Sequence, residues 1–385
     1  MKTIYSILKA ALFLLPVWLF ASCQDIVNYD ELQKESGTST GAPVIQKITL
    51  VDRVTEISDA DLSQLILIQG SNLSGIKTVK FNDVEADLKE AYIKAKEVVI
   101  PVPRILPTEI NNKITIMTEL GETSANLKIN IPSLIINGLF NEFTLPGDTT
   151  TITGDNFDLY KITKEDASII LGENKVNILE ADQKTLTIEI PKNALQKEGI
   201  IQITSPEIKE AICIPYREEG TFINIQNKLW EGEQWLTDGS KLGDPKPING
   251  QFSHITGVTV SQWDWYNQIH GCNFPTTDPD ILHNLESYDL KFELNTDPDH
   301  PLSQMYLKFS MRFSIVYEWD LYKSGESLNT YGKWQTITLD AKTILGELYE
   351  NSENFFSIAI NPSVEMNLDF SIANVRLVKK QQFVK

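Results

Sequence analysis

The chain has 385 residues, of which 52 are acidic and 34 basic, giving a formal net charge of −18. That balance excludes a surface built to neutralise nucleic-acid phosphates, which needs clustered Lys and Arg, and points to an uncharged partner. At 42% hydrophobic and 22% charged residues the composition is that of a globular chain, excluding a disordered, collagen-like or multi-span membrane protein, and the length predicts two or three domains.

The N-terminus carries Lys2 and Lys9, then an apolar run from Ala10 to Phe20, then Ala21 and Ser22 before Cys23. Residues 1–22 read as a secretory signal peptide, because the apolar run is shorter than the roughly 20 residues needed to cross a bilayer. Phe20-Ala21-Ser22-Cys23 resembles a bacterial lipobox, which implies lipidation of Cys23 and a protein anchored at the outer membrane; the competing reading is an ordinary cleavage site beside a chance cysteine. Residues 23–42 read as a tether. The stretch from Gln24 to Gly41 is polar and aperiodic, and such a flexible segment spans about 20–25 Å on average.

Two copies of one pattern follow, at 43–131 and 132–221. Leu65-Ile66-Leu67-Ile68-Gln69-Gly70-Ser71-Asn72-Leu73 aligns with Thr149-Thr150-Thr151-Ile152-Thr153-Gly154-Asp155-Asn156-Phe157, and the flanking runs Val98–Pro101 and Ile188–Pro191 correspond as well. Short β-branched runs punctuated by Gly, Asn, Asp and Pro predict small antiparallel sandwiches without a long helix. In each Gly-x-Asn turn the glycine is expected to take positive φ and the asparagine to bond its own backbone, while Leu73 and Phe157 plug the core. Followed by a strand such as Val79–Val84, this pattern resembles the IPT/TIG immunoglobulin-like fold. Neither copy contains Trp or His, so both read as spacers. Cys213, in the apolar run Ala211–Ile214, is expected to be a buried thiol.

The composition changes in residues 222–385. Six of the seven tryptophans (Trp230, Trp235, Trp263, Trp265, Trp319 and Trp334) and all four histidines lie there. Leu307–Ile315, Tyr288–Leu294 and Met366–Ile372 alternate apolar and polar residues, predicting half-buried strands and a two-sheet jelly roll. The chain is thus expected to be all-β, with tandem immunoglobulin-like sandwiches followed by a jelly-roll-like β-sandwich.

Binding chemistry concentrates in the same part. Gln262-Trp263-Asp264-Trp265-Tyr266-Asn267-Gln268 places flat aromatics beside amides and a carboxylate, the combination that suits a sugar ring with its apolar C–H face and hydroxyl equator. On a strand, Trp263 and Trp265 share one face. Two roles stay open for them, exposed platform or core. Trp235, Tyr266 and Trp319 are further platform candidates, and Arg312 offers a planar fork of donors; Trp334, opening an alternating run, reads as core. No Gly-x-Ser-x-Gly, His-Glu-x-x-His or phosphate-loop motif occurs. His254, His270, His283 and His300 lack metal-ligand spacing. The acidic loops Asp278-Pro279-Asp280 and Asp297-Pro298-Asp299 offer oxygen ligands without the ordered spacing of a calcium loop. Neither a catalytic residue, a cofactor nor a metal is assigned.

Taken together, the lipobox, tether, tandem modules and Trp-rich end, with segments such as Leu229-Trp230-Glu231-Gly232, resemble the surface glycan-binding lipoproteins of bacterial polysaccharide utilisation systems. The last part is similar to the xyloglucan-binding domain of surface glycan-binding protein B. The resemblance implies a non-catalytic protein that captures a plant β-glucan such as xyloglucan beside a TonB-dependent transporter and a SusD-like protein. A lipid-anchored glycoside hydrolase or lyase and a protein-binding adhesin are the alternatives.

Overall fold

A computed structural model describes residues 39–223, 235–274, 278–350 and 354–381, with the backbone alone for 267–274. Cys23, Trp230 and nearly all of the expected tether lie outside the described residues, as do the side chains of Asn267, Gln268, His270 and Cys272. The chain forms two compact units, divided between Pro132 and Ser133.

In the first unit two four-stranded antiparallel sheets enclose a core that includes Ile48, Ile66, Leu73, Phe81, Val98 and Ile116. One sheet orders Val44–Thr49, Leu65–Ser71, Glu97–Pro101 and Tyr92–Ile93; the other orders Val84–Glu85, Ile76–Phe81, Lys113–Thr118 and Gly121–Asn126. The expected strand Val79–Val84 is instead a hairpin, Ile76–Phe81 turning back as Val84–Glu85. Asn82 makes the turn at φ 58, its side-chain oxygen accepting from the backbone N–H groups of Asn111 (3.0 Å) and Asn112 (2.7 Å). Ser39, assigned to the tether, bonds through its backbone N–H to Ser74 Oγ (3.0 Å) and so is part of this unit.

The second unit opens with the same design. The strands Ile135–Leu139, Thr149–Asp155, Thr185–Glu189 and Asn177–Ala181 repeat the first sheet's order. The repeated turns reverse the expected division of labour. Asn72 (φ 57) and Asn156 (φ 67) take the left-handed conformation, not the glycines. Gly70 and Gly154 are required by close approach, because a Cβ there would lie 1.9 Å from the Val44 carbonyl oxygen and 2.1 Å from that of Ile135. Asn72 and Asn156 donate to the carbonyls of Ala42 and Ser133 (3.1 and 2.9 Å), while Leu73 and Phe157 are wholly buried. Cys213 is exposed, contrary to expectation: on the edge strand Ile212–Tyr216 its neighbours Ile212 and Ile214 point inward, so it points outward.

The rest of this unit is a two-sheet sandwich. The long strand Met366–Lys379 runs through a six-stranded sheet beside Phe252–Val260 and Tyr288–Thr296, with Gln335–Asp340 beyond. Facing it, Tyr266–Phe274, Asn354–Pro362, Met305–Met311 and Ser314–Asp320 form a four-stranded sheet. Leu290, Phe292, Leu307, Phe309, Ile358 and Phe370 belong to the core between them. Among the described residues the helices are short, and none is long and apolar enough to cross a membrane.

Two expected strands differ. Leu307–Ile315 is a hairpin, Met305–Met311 reversing through Arg312 (φ 52) and Phe313 (φ 66) into Ser314–Asp320. Tyr288–Thr296 is buried on both faces, because its polar residues meet the preceding module. Lys291 Nζ donates to Glu142 (2.6 Å), and Arg376 bridges Glu142 (2.6 Å) and Glu293 (3.0 Å). Thr336 donates to Glu293 and accepts from the Glu142 N–H. Phe143 is wholly buried between the guanidinium groups of Arg217 (4.9 Å) and Arg376 (4.8 Å), in a cluster with Ile248, Phe252, Trp334 and Ala373. Burial pulls the Arg376 pKa down, but the two carboxylates outweigh it, so the guanidinium is held charged.

Candidate functional site

The outer face of the four-stranded sheet is the open one. Along Met305–Met311 the residues Met305, Leu307, Phe309 and Met311 are buried, and Tyr306, Lys308 and Ser310 point outward. Trp263 and Trp265 stand beside this face, 48% and 52% exposed, in the loop between Phe252–Val260 and Tyr266–Phe274 and not on a strand as the shared-face reading requires. Trp263 has φ 64, an unusual conformation for a bulky side chain. Its surroundings hold it there: its N–H donates to the Pro362 carbonyl (2.8 Å), and the buried Asn361 amide donates to the carbonyls of Trp263 (2.9 Å) and Asp264 (3.2 Å). Gln262 bonds the Ser363 carbonyl (2.8 Å), and Ser363 in turn bonds that of Gln304 (2.6 Å).

The rings form a connected group. Trp263 meets Tyr322 edge-on at 5.9 Å, and Tyr322 meets Tyr306 at 6.3 Å. Lys308 Nζ lies 4.1 Å from the Trp265 ring centre and 2.8 Å from Glu318. A cation over one indole face leaves the rest of the ring available for stacking.

Of the aromatic residues singled out in the sequence, only Trp263 and Trp265, among the described residues, stand together on the open surface. Trp235 and Tyr266 pack against the core, as does Trp319, which lies opposite Leu307 and donates its indole N–H to Glu326 (2.8 Å). The Trp235 indole N–H and Tyr266 hydroxyl are buried without a partner of ordinary hydrogen-bond geometry; burial pushes the phenol pKa up, with the nearby indole N–H pulling the other way. Arg312 sits at the hairpin tip, 4.4 Å over the Tyr349 ring. Trp334 is buried and donates to the Lys246 carbonyl (2.8 Å). Tyr306, Lys308 and Tyr322 escaped the sequence reading, although the alternation of Met305–Met311 already placed Tyr306 and Lys308 on its outward phase.

The acids and histidines are largely occupied with one another. His254 lies between Asp244 (2.7 Å) and Asp369 (3.0 Å), and His300 bonds Asp297 (2.9 Å). One ligand atom each of Asp297, His300 and Asp369 lie within 4.8 Å of one another, a spacing that could hold a cation. The other acidic loop is a helix cap: Asp278 accepts from the Asp280 N–H, and Asp280 accepts from Lys379, Tyr288 and Asn284, which hold its carboxyl well below the usual range.

Residues 216–379 match the family described as surface glycan-binding protein B xyloglucan binding domain, and residues 134–207 match the IPT/TIG domain. An IPT/TIG domain-containing protein of Bacteroides ovatus is 26% identical over 224 residues, covering 52% of this chain and 44% of that protein. The alignment thus spans under half the length of that curated relative. Among solved structures, the surface glycan-binding protein PbSGBP-B of Prevotella bryantii aligns over 89% of this chain and 100% of its own, at 18% identity and TM-score 0.50. The SGBP-B from a complex xyloglucan utilization locus in Bacteroides uniformis aligns over 88% of this chain and 100% of its own, at 16% identity and TM-score 0.45. The all-β chain therefore carries a match to the IPT/TIG domain followed by a C-terminal part that matches the surface glycan-binding protein B xyloglucan binding domain.

Proposed function

We propose that this is a non-catalytic glycan-binding protein that holds a neutral polysaccharide, a β-glucan such as xyloglucan, on the open face of its four-stranded sheet. The observation that carries the reading is the Trp263 turn. A left-handed backbone at a bulky residue costs about 1–2 kcal/mol and persists only where the surroundings over-determine it. Here the buried Asn361 clamp keeps two indoles half exposed side by side, where hydrophobic burial alone would hide them. Flat rings flanked by Lys308 and Glu318 suit pyranose faces and hydroxyls, and the family match of residues 216–379 supports the same ligand class.

If each sugar face covers about 50 Å² of apolar surface, stacking contributes roughly 1–1.5 kcal/mol per ring. Three rings reach only millimolar affinity, and hydrogen bonds of about 1 kcal/mol each bring the dissociation constant between roughly 10 μM and 1 mM. The proposal includes a Cys23 lipid anchor at the outer surface of the outer membrane and delivery to a TonB-dependent transporter with a SusD-like partner. Affinity electrophoresis of the full chain through gels of neutral polysaccharides, run with a reducing-end assay, tests the binding reading. Retardation by a β-glucan without release of reducing ends is expected. No retardation by any glycan, or release of reducing ends, would overturn it.

A further inference from the structure

We infer that the hairpin tip Arg312–Phe313 is a second sugar-stacking subsite at the far end of the same sheet face, so that the face responds to the length of an extended glycan. This rests on the glycan-binding reading above. Two-residue hairpin loops with both residues left-handed strongly favour Asn-Gly or Asp-Gly. This one has Arg312 (φ 52) and Phe313 (φ 66). What the disfavoured sequence accomplishes is display: Phe313 is 71% exposed, its ring stacked on Phe355 at 4.9 Å and 17°. The Arg312 N–H donates to the Phe355 carbonyl (2.7 Å), and its guanidinium lies over Tyr349.

The location links this tip to the tryptophans. Phe355 shares the outward phase of its strand with Ser357 and Asn361, and Asn361 pairs with Tyr306 beside Tyr322 and Trp263. From Tyr306 to Arg312 is six residues of strand, about 20 Å. Between the two ends lies the pair Ser310 and Ser357, both small and partly exposed. A face with rings at each end of one strand suits a straight β-linked chain, whereas a coiled α-linked chain curves away from it. The Arg312 fork adds donors for adjacent hydroxyls at the distal end.

Calorimetry of the full chain with xylogluco-oligosaccharides of increasing backbone length tests the subsite. Wild-type affinity should rise about tenfold once the oligosaccharide spans the face, the gain expected from one further stacked ring. Phe313→Gly, which suits the left-handed turn, should abolish that rise while leaving short oligosaccharides bound as before. Phe313→Trp should retain the rise, and Trp263→Ala should weaken every length alike. A length gain unchanged in Phe313→Gly, or no gain in the wild type, overturns the subsite and leaves the glycan reading standing. Absence of binding at every length overturns both.

Discussion

The two outer faces of the C-terminal sandwich are built from strands of similar alternating sequence, yet one is buried and the other open. On the six-stranded sheet the outward residues Lys291, Glu293 and Arg376 are covered by the Phe140–Leu145 segment of the preceding module; Lys291 and Arg376 pair with Glu142, and Arg376 also pairs with Glu293. On the four-stranded sheet the outward residues Tyr306, Lys308 and Ser310 stay accessible beside two exposed tryptophans. Polar residues on a strand therefore do not by themselves mark solvent: buried charges need complete pairing, whereas exposed aromatics need a reason for not collapsing inward.

Breaking the buried side should have the largest effect. Arg376→Met leaves the buried Glu293 without its counter-charge and Glu142 with Lys291 alone, and loss of one partner from such a pair costs about 3–5 kcal/mol. Denaturant unfolding followed by tryptophan fluorescence reads this directly; stability unchanged from wild type would mean the seam does not hold the sandwich. A related comparison concerns fragments. Residues 133–385 should bind glycan as the full chain does, whereas residues 222–385, lacking Glu142 and Phe143, should unfold at lower denaturant. Equal midpoints for the two would show that the last part is self-sufficient.

On the open side, Trp263→Ala and Trp265→Ala should each weaken glycan binding about tenfold, equivalent to ~1.4 kcal/mol, with an unchanged melting temperature. If either loses the fold rather than the affinity, that indole is a core residue. Trp263→Gly sharpens the contrast: relief of the left-handed strain should raise stability by about 1 kcal/mol while binding falls. A drop in stability would show that the indole packs more than it displays. The smallest effect belongs to the surface acids. Hydrogen bonds from Lys380 and then Thr343 hold Asp340 at about 2, and Asp280 is likewise depressed. Carboxyls lowered on folding contribute stability that is present above their unfolded value, about 3.9, and is lost as pH falls through the folded value. The contribution of the Asp340 carboxyl, read as the difference in melting temperature between wild type and Asp340→Asn, should therefore be flat above about pH 5 and shrink between about pH 4 and 2. A difference that grows on acidification would contradict the sign.

The all-β design was legible because β-branched runs between Gly, Asn and Pro leave little else to form, and the twin Gly-x-Asn turns sit where the repeat put them. Which residue of each turn carries the strain was not legible. The carbonyl that excludes a Cβ at Gly70 and Gly154 comes from a strand distant in sequence. The hairpin at Arg312–Phe313 was hidden for a related reason: it lacks Gly and Asn, and Phe313 and Ile315 keep the alternating phase across the reversal. Trp263 and Trp265 were found by composition, but Trp235, Tyr266 and Trp319 carry the same composition and pack inward. Aromatic type records affinity for apolar surface, and only the fold decides whether that surface is the protein's own or a ligand's. The Glu142 to Arg376 pairing joins positions too far apart for any periodic pattern to register.

The buried seam also has a mechanical consequence. A polysaccharide is many times larger than the domain that grips it, so thermal motion of the polymer applies torque to the gripping face. With a hinge directly behind that face, the torque would be spent swinging the domain, and the direction in which the chain is presented would be lost. Lys291 and Arg376 instead lock onto Glu142, and Arg376 onto Glu293 as well, so the face and the module behind it turn as one lever.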